Sequence, residues 1–175
     1  MGQFELAQAI EILGKTPSIL KNWLGNASEE LVQYKSDDES WSAFDILGHF
    51  IHGEKTDWIP RAQIILHGEG TKEFEPFDRF AQFEDSKEKT IGEMLEEFSS
   101  LREKNLEILQ GFDLQPDDYE LQGKHPELGV VNLRQLIATW VVHDLDHLSQ
   151  MAQEMAQRYK EDVGPWRAYL GVLKR

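Results

Sequence analysis

The amino-acid sequence predicts an all-α protein, an antiparallel four-helix bundle with a kinked first helix, long crossover loops and a short C-terminal helix. Four long segments carry apolar residues at the three- and four-residue spacing of amphipathic helices. No internal repeat and no convincing strand alternation accompanies them. The 175 residues suit one domain, residues 1–175, around one substantial core. Helices of this kind bury their apolar faces against one another, which favours a bundle.

The first helix is predicted over residues 4–24. Thr16 and Pro17 interrupt it in the pattern of an N-cap followed by proline, which predicts a kink or two abutting helices. Gly25 is expected to end it. A polar stretch with a short helical turn near Ser28 then leads to the next helix.

The second helix is predicted to begin at Ser42, because Ser42 and Asp45 have the spacing of a capping box. It should run to about Leu66. Pro60 is expected to bend it or to mark a boundary.

A long charged connection, residues 68–89, separates the second helix from the third. It contains four phenylalanines spaced three apart, namely Phe74, Phe77, Phe80 and Phe83. The spacing predicts a helical turn packed over the bundle end, with a lid or a partner surface as the alternative. The third helix is predicted from Thr90 to Gly111.

The last connection, residues 112–131, is predicted to be irregular, with a short extended pair around residues 119–121. Asn132 should cap the fourth helix, which is predicted to run to about Tyr159. After a break at Gly164 and the following proline, the tail offers one more short apolar face.

The charge of the chain argues against two classes of partner. With 18 Lys and Arg against 32 Asp and Glu, the formal net charge is −14. A field of this sign repels phosphate backbones and anionic lipid surfaces, so neither nucleic acid nor a membrane is expected to bind.

The absence of cysteine limits the chemistry that the side chains can perform. There is no cysteine in the sequence, which excludes disulfides, thiolate zinc sites and a cysteine nucleophile. No run approaches the ~20 apolar residues of a membrane span, and the first residues lack the pattern of a signal peptide. A soluble cytoplasmic protein is therefore expected.

Two histidines four residues apart lie on the fourth helix. His143 and His147 would lie about 40° apart around it, close enough to hold one metal ion. Hydrogen-bonded histidines at the edge of a core would have the same spacing, so the pair alone leaves both interpretations open. A metalloprotease motif is disfavoured, because Asp144 stands where such a motif has glutamate.

A third ligand would have to come from another helix. His49 falls at the border of the apolar face of the second helix, whereas His52 lies about 60° further round, away from that face. We therefore expect His49 to be the interior ligand and His52 to be a solvated surface histidine. His67 and His125 fall in predicted loops and are expected at the surface.

The order of these motifs resembles the DinB-like four-helix-bundle superfamily. The resemblance rests on Trp41-Ser42 with His49 seven residues later, the segment HPELG at 125–129, and the fourth-helix histidine pair with Asp144. It covers essentially the whole chain and implies that one histidine of the second helix and two of the fourth bind a divalent metal. These fall on His49, His143 and His147. Zinc, nickel, iron and manganese are not distinguished by three histidines.

The same resemblance implies candidate functions. Its better-understood members are thiol-dependent enzymes, including mycothiol-dependent isomerases and transferases and bacillithiol transferases, and the family name refers to damage-inducible expression, a stress response. The chain is thus expected to be a metal-dependent thiol S-transferase or hydrolase that uses a small electrophile and a low-molecular-weight thiol. The alternative is a non-catalytic metal-binding or dimeric interaction protein, since the family often forms homodimers. Asp144 is expected either to orient a ligand histidine or to make a polar contact between helices.

Overall fold

The computed structural model describes residues 4–174, in which seven α-helices and one antiparallel pair of strands occur. The helices are α1 (Leu6–Leu24), α2 (Glu29–Val32), α3 (Ala43–Thr56), α4 (Trp58–His67), α5 (Ala81–Ser86), α6 (Ile91–Gly111) and α7 (Leu133–Gln157). The strands are β1 (Gln122–His125) and β2 (Gly129–Asn132), and short 3₁₀ turns span Pro116–Glu120, Gly164–Tyr169 and Gly171–Leu173. The all-α four-helix bundle is confirmed, with α1, α3 continued by α4, α6 and α7 as its long elements. The short C-terminal helix is wrong in type, since two 3₁₀ turns stand there and only Leu173 of its expected apolar face is buried.

The first long helix, α1, continues through its internal proline. Pro17 has no N–H to donate to the Leu13 carbonyl one turn earlier. Arg102 Nη1 of α6 donates to that carbonyl instead, at 2.8 Å. The interruption predicted at Thr16 is therefore a local loss of one helical hydrogen bond, compensated from a neighbouring helix.

The second long segment divides at Asp57, between α3 and α4. Its start is as predicted, because the Ser42 hydroxyl and the Asp45 carboxylate form a reciprocal capping box. Pro60 accounts for the predicted boundary, because its ring would clash with the carbonyl of Thr56, where α3 ends, and its missing N–H falls in the first turn of α4.

The directions of the long helices follow from their contacts. Glu54 and Phe50 of α3 meet Arg102 and Phe98 of α6 in the same order along both chains, so these two helices run parallel. Glu54 also accepts a hydrogen bond from Trp140, which precedes the histidine pair, so α3 and α7 run antiparallel. The parallel packing of α3 and α6 departs from the antiparallel arrangement that was predicted, because the long connection between them travels back along the bundle before α6 begins.

That connection, residues 68–90, runs along the bundle and packs on α3 and α4. Phe74 is 3% exposed and lies under Arg61 of α4, Phe77 packs on His52 of α3, and Phe83 packs on Trp41 before α3. The four phenylalanines therefore do not share one helical turn, since α5 contains Phe83 alone. The predicted packing role holds for three of them, while Phe80 is 61% exposed.

The connection between α6 and α7 contains more order than predicted. Strands β1 and β2 pair with Gln122 opposite Asn132 and His125 opposite Gly129. The extended pair thus begins later than the predicted residues 119–121. Tyr119 and Glu120 belong to the 3₁₀ turn, and Leu121 follows it. Gly129 begins β2 with a positive φ of 76°, a conformation that favours glycine at the end of the turn.

A buried polar network separates the core into two apolar clusters. Its centre is Arg102, 1% exposed, whose five N–H groups all find acceptors. They donate to the Glu54 and Asp144 carboxylates and to the Leu13 carbonyl. The cluster on one side includes Leu20, Phe50, Phe98 and Met151, and that on the other includes Leu13, Trp58, Leu109 and Trp140.

Within residues 4–174, none of the helices combines the length and the apolar character needed to cross a lipid bilayer.

Candidate metal centre

Three histidines from two helices meet on the face of the bundle that the 68–90 connection covers. His49 comes from α3, and His143 and His147 come from successive turns of α7. One ring nitrogen from each lies within 4.8 Å of the other two, and His49 Nε2 is 3.0 Å from His143 Nε2. Two nitrogens bound tetrahedrally at the usual Zn–N distance would be ~3.3 Å apart. The structure thus brings the three predicted residues to metal-binding separation.

The other histidines lie outside this group. His52 is only 8% exposed, so the expectation of a solvated side chain is wrong. Phe77 of the 68–90 connection covers it, with ring centroids 4.9 Å apart, and helix periodicity could not show that covering segment. His67 ends α4 and is exposed.

His125 lies in a strand and not in the loop that was predicted. It ends β1 and is half-buried. Its Nδ1 accepts hydrogen bonds from the backbone N–H groups of Glu127 and Leu128, which ties the turn of the hairpin to the ring. His125 thereby lines a cavity that also reaches the histidine cluster.

Burial keeps the three imidazoles unprotonated at neutral pH. Desolvation lowers the pKa of His49 to about 4 and that of His143 to about 2, with the nearby charge of His147 as the next cause in both. Burial also lowers the pKa of His147, against a hydrogen bond to Gln150 that raises it. Neutral imidazole is the form that coordinates a metal, so burial keeps all three rings in the form that can bind one.

Hydrogen bonds orient one of the three rings firmly. Gln150 Oε1 lies 2.8 Å from His147 Nδ1. An amide oxygen only accepts, so Nδ1 carries the proton and the Nε2 lone pair is available for a metal. The Nδ1 atoms of His49 and His143 are buried without a hydrogen-bond partner among the described residues.

Gln82, at the start of α5, lies beside His49 and was not singled out by the sequence. It is fully buried, and neither its amide oxygen nor its amide nitrogen has a partner with good hydrogen-bond geometry among residues 4–174. Its interaction with His49 nevertheless raises the pKa of that histidine, opposing burial. Nothing in the local sequence distinguishes Gln82, because only the path of the 68–90 connection brings it to α3.

Aromatic rings pack around the histidines and restrict their rotation. Trp41 stacks on His147 with ring centroids 6.3 Å apart and an interplanar angle of 13°. Trp58 meets the edge of His143 at 5.0 Å, and Phe77 meets His49 at 5.4 Å. A three-imidazole set with low pKa values, held by packing, fits a divalent metal.

Asp144, adjacent to His143 in sequence, projects about 100° away from it around α7. Its carboxylate accepts hydrogen bonds from Thr16 and Arg102. Of the two roles expected for this residue, the structure thus shows the polar contact between helices. Both carboxylate oxygens are engaged there, and neither is hydrogen-bonded to a histidine among the described residues.

Two cavities open onto the histidines. The larger has a volume of about 540 Å³, touches His49 and His143, and is lined mainly by apolar side chains. The smaller, about 280 Å³, touches His49 and His147 beside Ser40 and Gln150. A small molecule in either cavity would reach the centre of the cluster.

Comparisons with known proteins agree with this fold. A solved structure described as "YfiT from Bacillus subtilis is a probable metal-dependent hydrolase with an unusual four-helix bundle topology" superposes with a TM-score of 0.74. The two sequences are 18% identical, and the match covers 90% of this chain and 89% of that one. No curated protein matches the sequence. The family model of the DinB superfamily matches residues 12–151, and the chain therefore belongs to the DinB superfamily.

Proposed function

We propose that His49, His143 and His147 bind a divalent metal and that the site activates a low-molecular-weight thiol for attack on a small electrophilic substrate. The observation that carries the proposal is the meeting of three unprotonated imidazoles within 4.8 Å beside a cavity of about 540 Å³. Zinc, nickel, iron and manganese all accept such ligands.

The ligand set suits a catalytic centre better than a structural one. Three neutral imidazoles would leave the metal its full charge and at least one open position, whereas structural zinc sites use four protein ligands. A divalent cation there would lower the pKa of a coordinated thiol or water. The chain contributes by burying the imidazoles so that they stay neutral, and by holding His147 through Gln150 and Trp41.

A thiol nucleophile would have to be a cosubstrate, because the chain has no cysteine. A free small thiol stays reduced in the cytoplasm, so we assign the protein to that compartment. The net charge of −14 disfavours nucleic acid and anionic membranes as partners. We also propose that two copies of the chain associate as a homodimer.

Hydrolysis, with water as the nucleophile, is the second candidate. It is favoured by the structural similarity to YfiT, which is described as a probable metal-dependent hydrolase. The same ligand set serves both reactions, since a metal lowers the pKa of either nucleophile. A non-catalytic metal-binding or dimeric interaction protein would hold the metal without turnover.

Metal content and thiol chemistry test the proposal together. Protein purified without a metal-affinity tag should contain one divalent metal per chain by elemental analysis. His49→Ala should lose that metal and keep the helical circular dichroism signal, while His67→Ala, a change to an exposed histidine outside the cluster, should keep both.

Activity is then measured as conjugation of small thiols to a panel of generic electrophiles, with and without chelator. Chelator-sensitive conjugation supports thiol transfer, and chelator-sensitive release of product without thiol supports hydrolysis. A stoichiometric metal with neither activity across the panel would favour the interaction protein.

A further inference from the structure

The larger cavity extends away from the histidines along two helices. On the α3 side, His49, Gly53 and Asp57 line it at four-residue steps, which places Asp57 ~12 Å from His49 along the helix axis. On α7, His143 and Gln135 line it over the same span. Two independent walls therefore give the cavity the same direction and length.

Most of the path between the two ends is apolar. Trp58, Phe77 and Leu136 are among the side chains that line it. Gly53 allows Trp58 to lie against α3, because a Cβ at Gly53 would already be 3.3 Å from the indole Nε1. A ligand that follows this path needs an apolar middle section.

The far end of the cavity is formed by a buried ion pair. The Asp57 and Arg61 side chains are 12% and 9% exposed, and Arg61 Nε contacts Asp57 Oδ1. Asp57 Oδ1 is buried against Arg61, whereas Asp57 Oδ2 is not among the fully buried atoms and accepts no hydrogen bond among the described residues. Burial raises the pKa of Asp57 to about 6, against the opposing effect of Arg61.

Arg61 also has donors to spare. Its Nη2 donates to the Glu75 carbonyl at 3.5 Å, and its guanidinium lies 5.2 Å from the Phe74 ring centroid. Within residues 4–174, Nη1 makes no hydrogen bond. The pair thus offers the cavity a carboxylate oxygen that can accept a hydrogen bond and guanidinium donors beside it.

We propose that Asp57 and Arg61 bind a neutral group that both donates and accepts hydrogen bonds, as a primary carboxamide does, at the far end of an elongated substrate. A carboxylate there would be repelled by Asp57 and an ammonium by Arg61, whereas a carboxamide satisfies both. The substrate would place its reacting end at the histidines and its carboxamide end ~12 Å away. The position of the reacting end rests on the proposed function, but recognition at the far end does not.

The test uses ligands that differ only at the end expected to reach Asp57 and Arg61. ω-Mercaptoalkanamides of increasing chain length are titrated calorimetrically into the zinc-loaded protein, beside methyl-ended alkanethiols and ω-mercaptoalkanoates. The same comparison is made on metal-free protein with n-alkanamides and n-alkanoates. Arg61→Gln is compared with Arg134→Gln, a change to an exposed arginine paired with Glu120 outside the cavity.

We expect affinity to peak at the length that spans ~12 Å, and the carboxamide to bind about tenfold more tightly there than the methyl end. Arg61→Gln should abolish that preference, and Arg134→Gln should retain it. Equal binding of methyl and carboxamide ends by the wild-type protein, or tighter binding of the carboxylate, would overturn the proposal even if Arg61→Gln fails to fold. A protein that takes up no zinc but prefers n-alkanamides to n-alkanoates would refute the metal function alone.

Discussion

Burial determines which atoms of the histidine cluster can bind a cation. His49 is 7% exposed, and desolvation is the largest cause of its low pKa. The same burial leaves its Nδ1 without a hydrogen-bond partner among the described residues. The site therefore holds neutral ligands at a cost in stability that a bound cation would offset.

This cost predicts a pH dependence in the metal-free protein. His49 has a pKa of about 4 when folded and an ordinary value of 6.5. Between these values the unfolded state binds a proton that the folded state does not, so the free energy of unfolding should fall as the pH falls, by up to about 3 kcal/mol. His49→Gln should remove this contribution. The stability of the variant relative to the wild type should therefore rise as the pH falls from 6.5 to about 4.

Urea denaturation of metal-free protein at several pH values measures the effect. The curve for His67→Gln, which changes an exposed histidine, should follow that of the wild type. Parallel curves for wild type and His49→Gln would show that His49 is not held neutral by burial.

Gln82 is predicted to set the affinity for metal. A small rotation of the Gln82 amide would let its oxygen accept a hydrogen bond from His49 Nδ1–H. That bond would keep the proton on Nδ1 and leave the Nε2 lone pair available for the metal. Gln82→Leu should therefore weaken metal binding about tenfold, the effect typical of losing a hydrogen bond to a ligand histidine. The free energy of unfolding without metal should not fall, because the buried amide has no well-formed partner to lose. Competition with a chromogenic chelator and urea denaturation give the two quantities, and unchanged affinity would exclude the role.

At the level of the helices, the buried network determines how α7 presents the histidine pair. Asp144 follows His143 directly, so the bonds from Arg102 and Thr16 that hold it inward also hold the histidine side of α7 towards α3. Glu54 ties α3 to the same arginine. The metal ligands thus lie on two helices that share one polar anchor.

Removal of that anchor should be strongly destabilising. Arg102→Leu would leave the Glu54 and Asp144 carboxylates buried without their shared cation, and we expect a loss of about 3–5 kcal/mol in the free energy of unfolding. Arg134→Leu breaks an exposed ion pair with Glu120 and should cost less than about 1 kcal/mol. Chemical denaturation of both variants measures the difference, and similar losses would mean that the network contributes little.

For the whole molecule, metal binding and folding should be coupled. The ligands come from residues 49 and 143, far apart in sequence, so the folded state brings them together and the unfolded chain does not. Metal at a hundredfold excess over its dissociation constant would stabilise the folded state by about 2.7 kcal/mol.

Chelator should therefore lower the melting temperature of the wild-type protein, as measured by calorimetry or circular dichroism. His49→Ala should melt at the same temperature with and without chelator, because it lacks one ligand. A chelator effect of equal size in both proteins would mean that the stabilising metal binds elsewhere.

Local sequence patterns were enough to identify the bundle and its helix starts. The caps at Ser42, Thr90 and Asn132 are all present, because a capping box involves residues only three positions apart. Helical spacing and the family resemblance together also selected His49 over His52 for the cluster, and the structure brings the three histidines together. The caps and the helix faces depend on contacts within one or two helical turns, whereas the meeting of His49 with the α7 pair was expected from the family resemblance.

Only the tertiary structure showed what surrounds those histidines. The burial of His52, the approach of Gln82 and the cavity that ends at Asp57 all depend on the path of residues 68–90 or on the break between α3 and α4. That path is set by packing between segments distant in sequence, which helical periodicity does not encode. The position of Arg102 among four helices has the same origin, since a charged residue on an amphipathic helix ordinarily predicts solvent exposure.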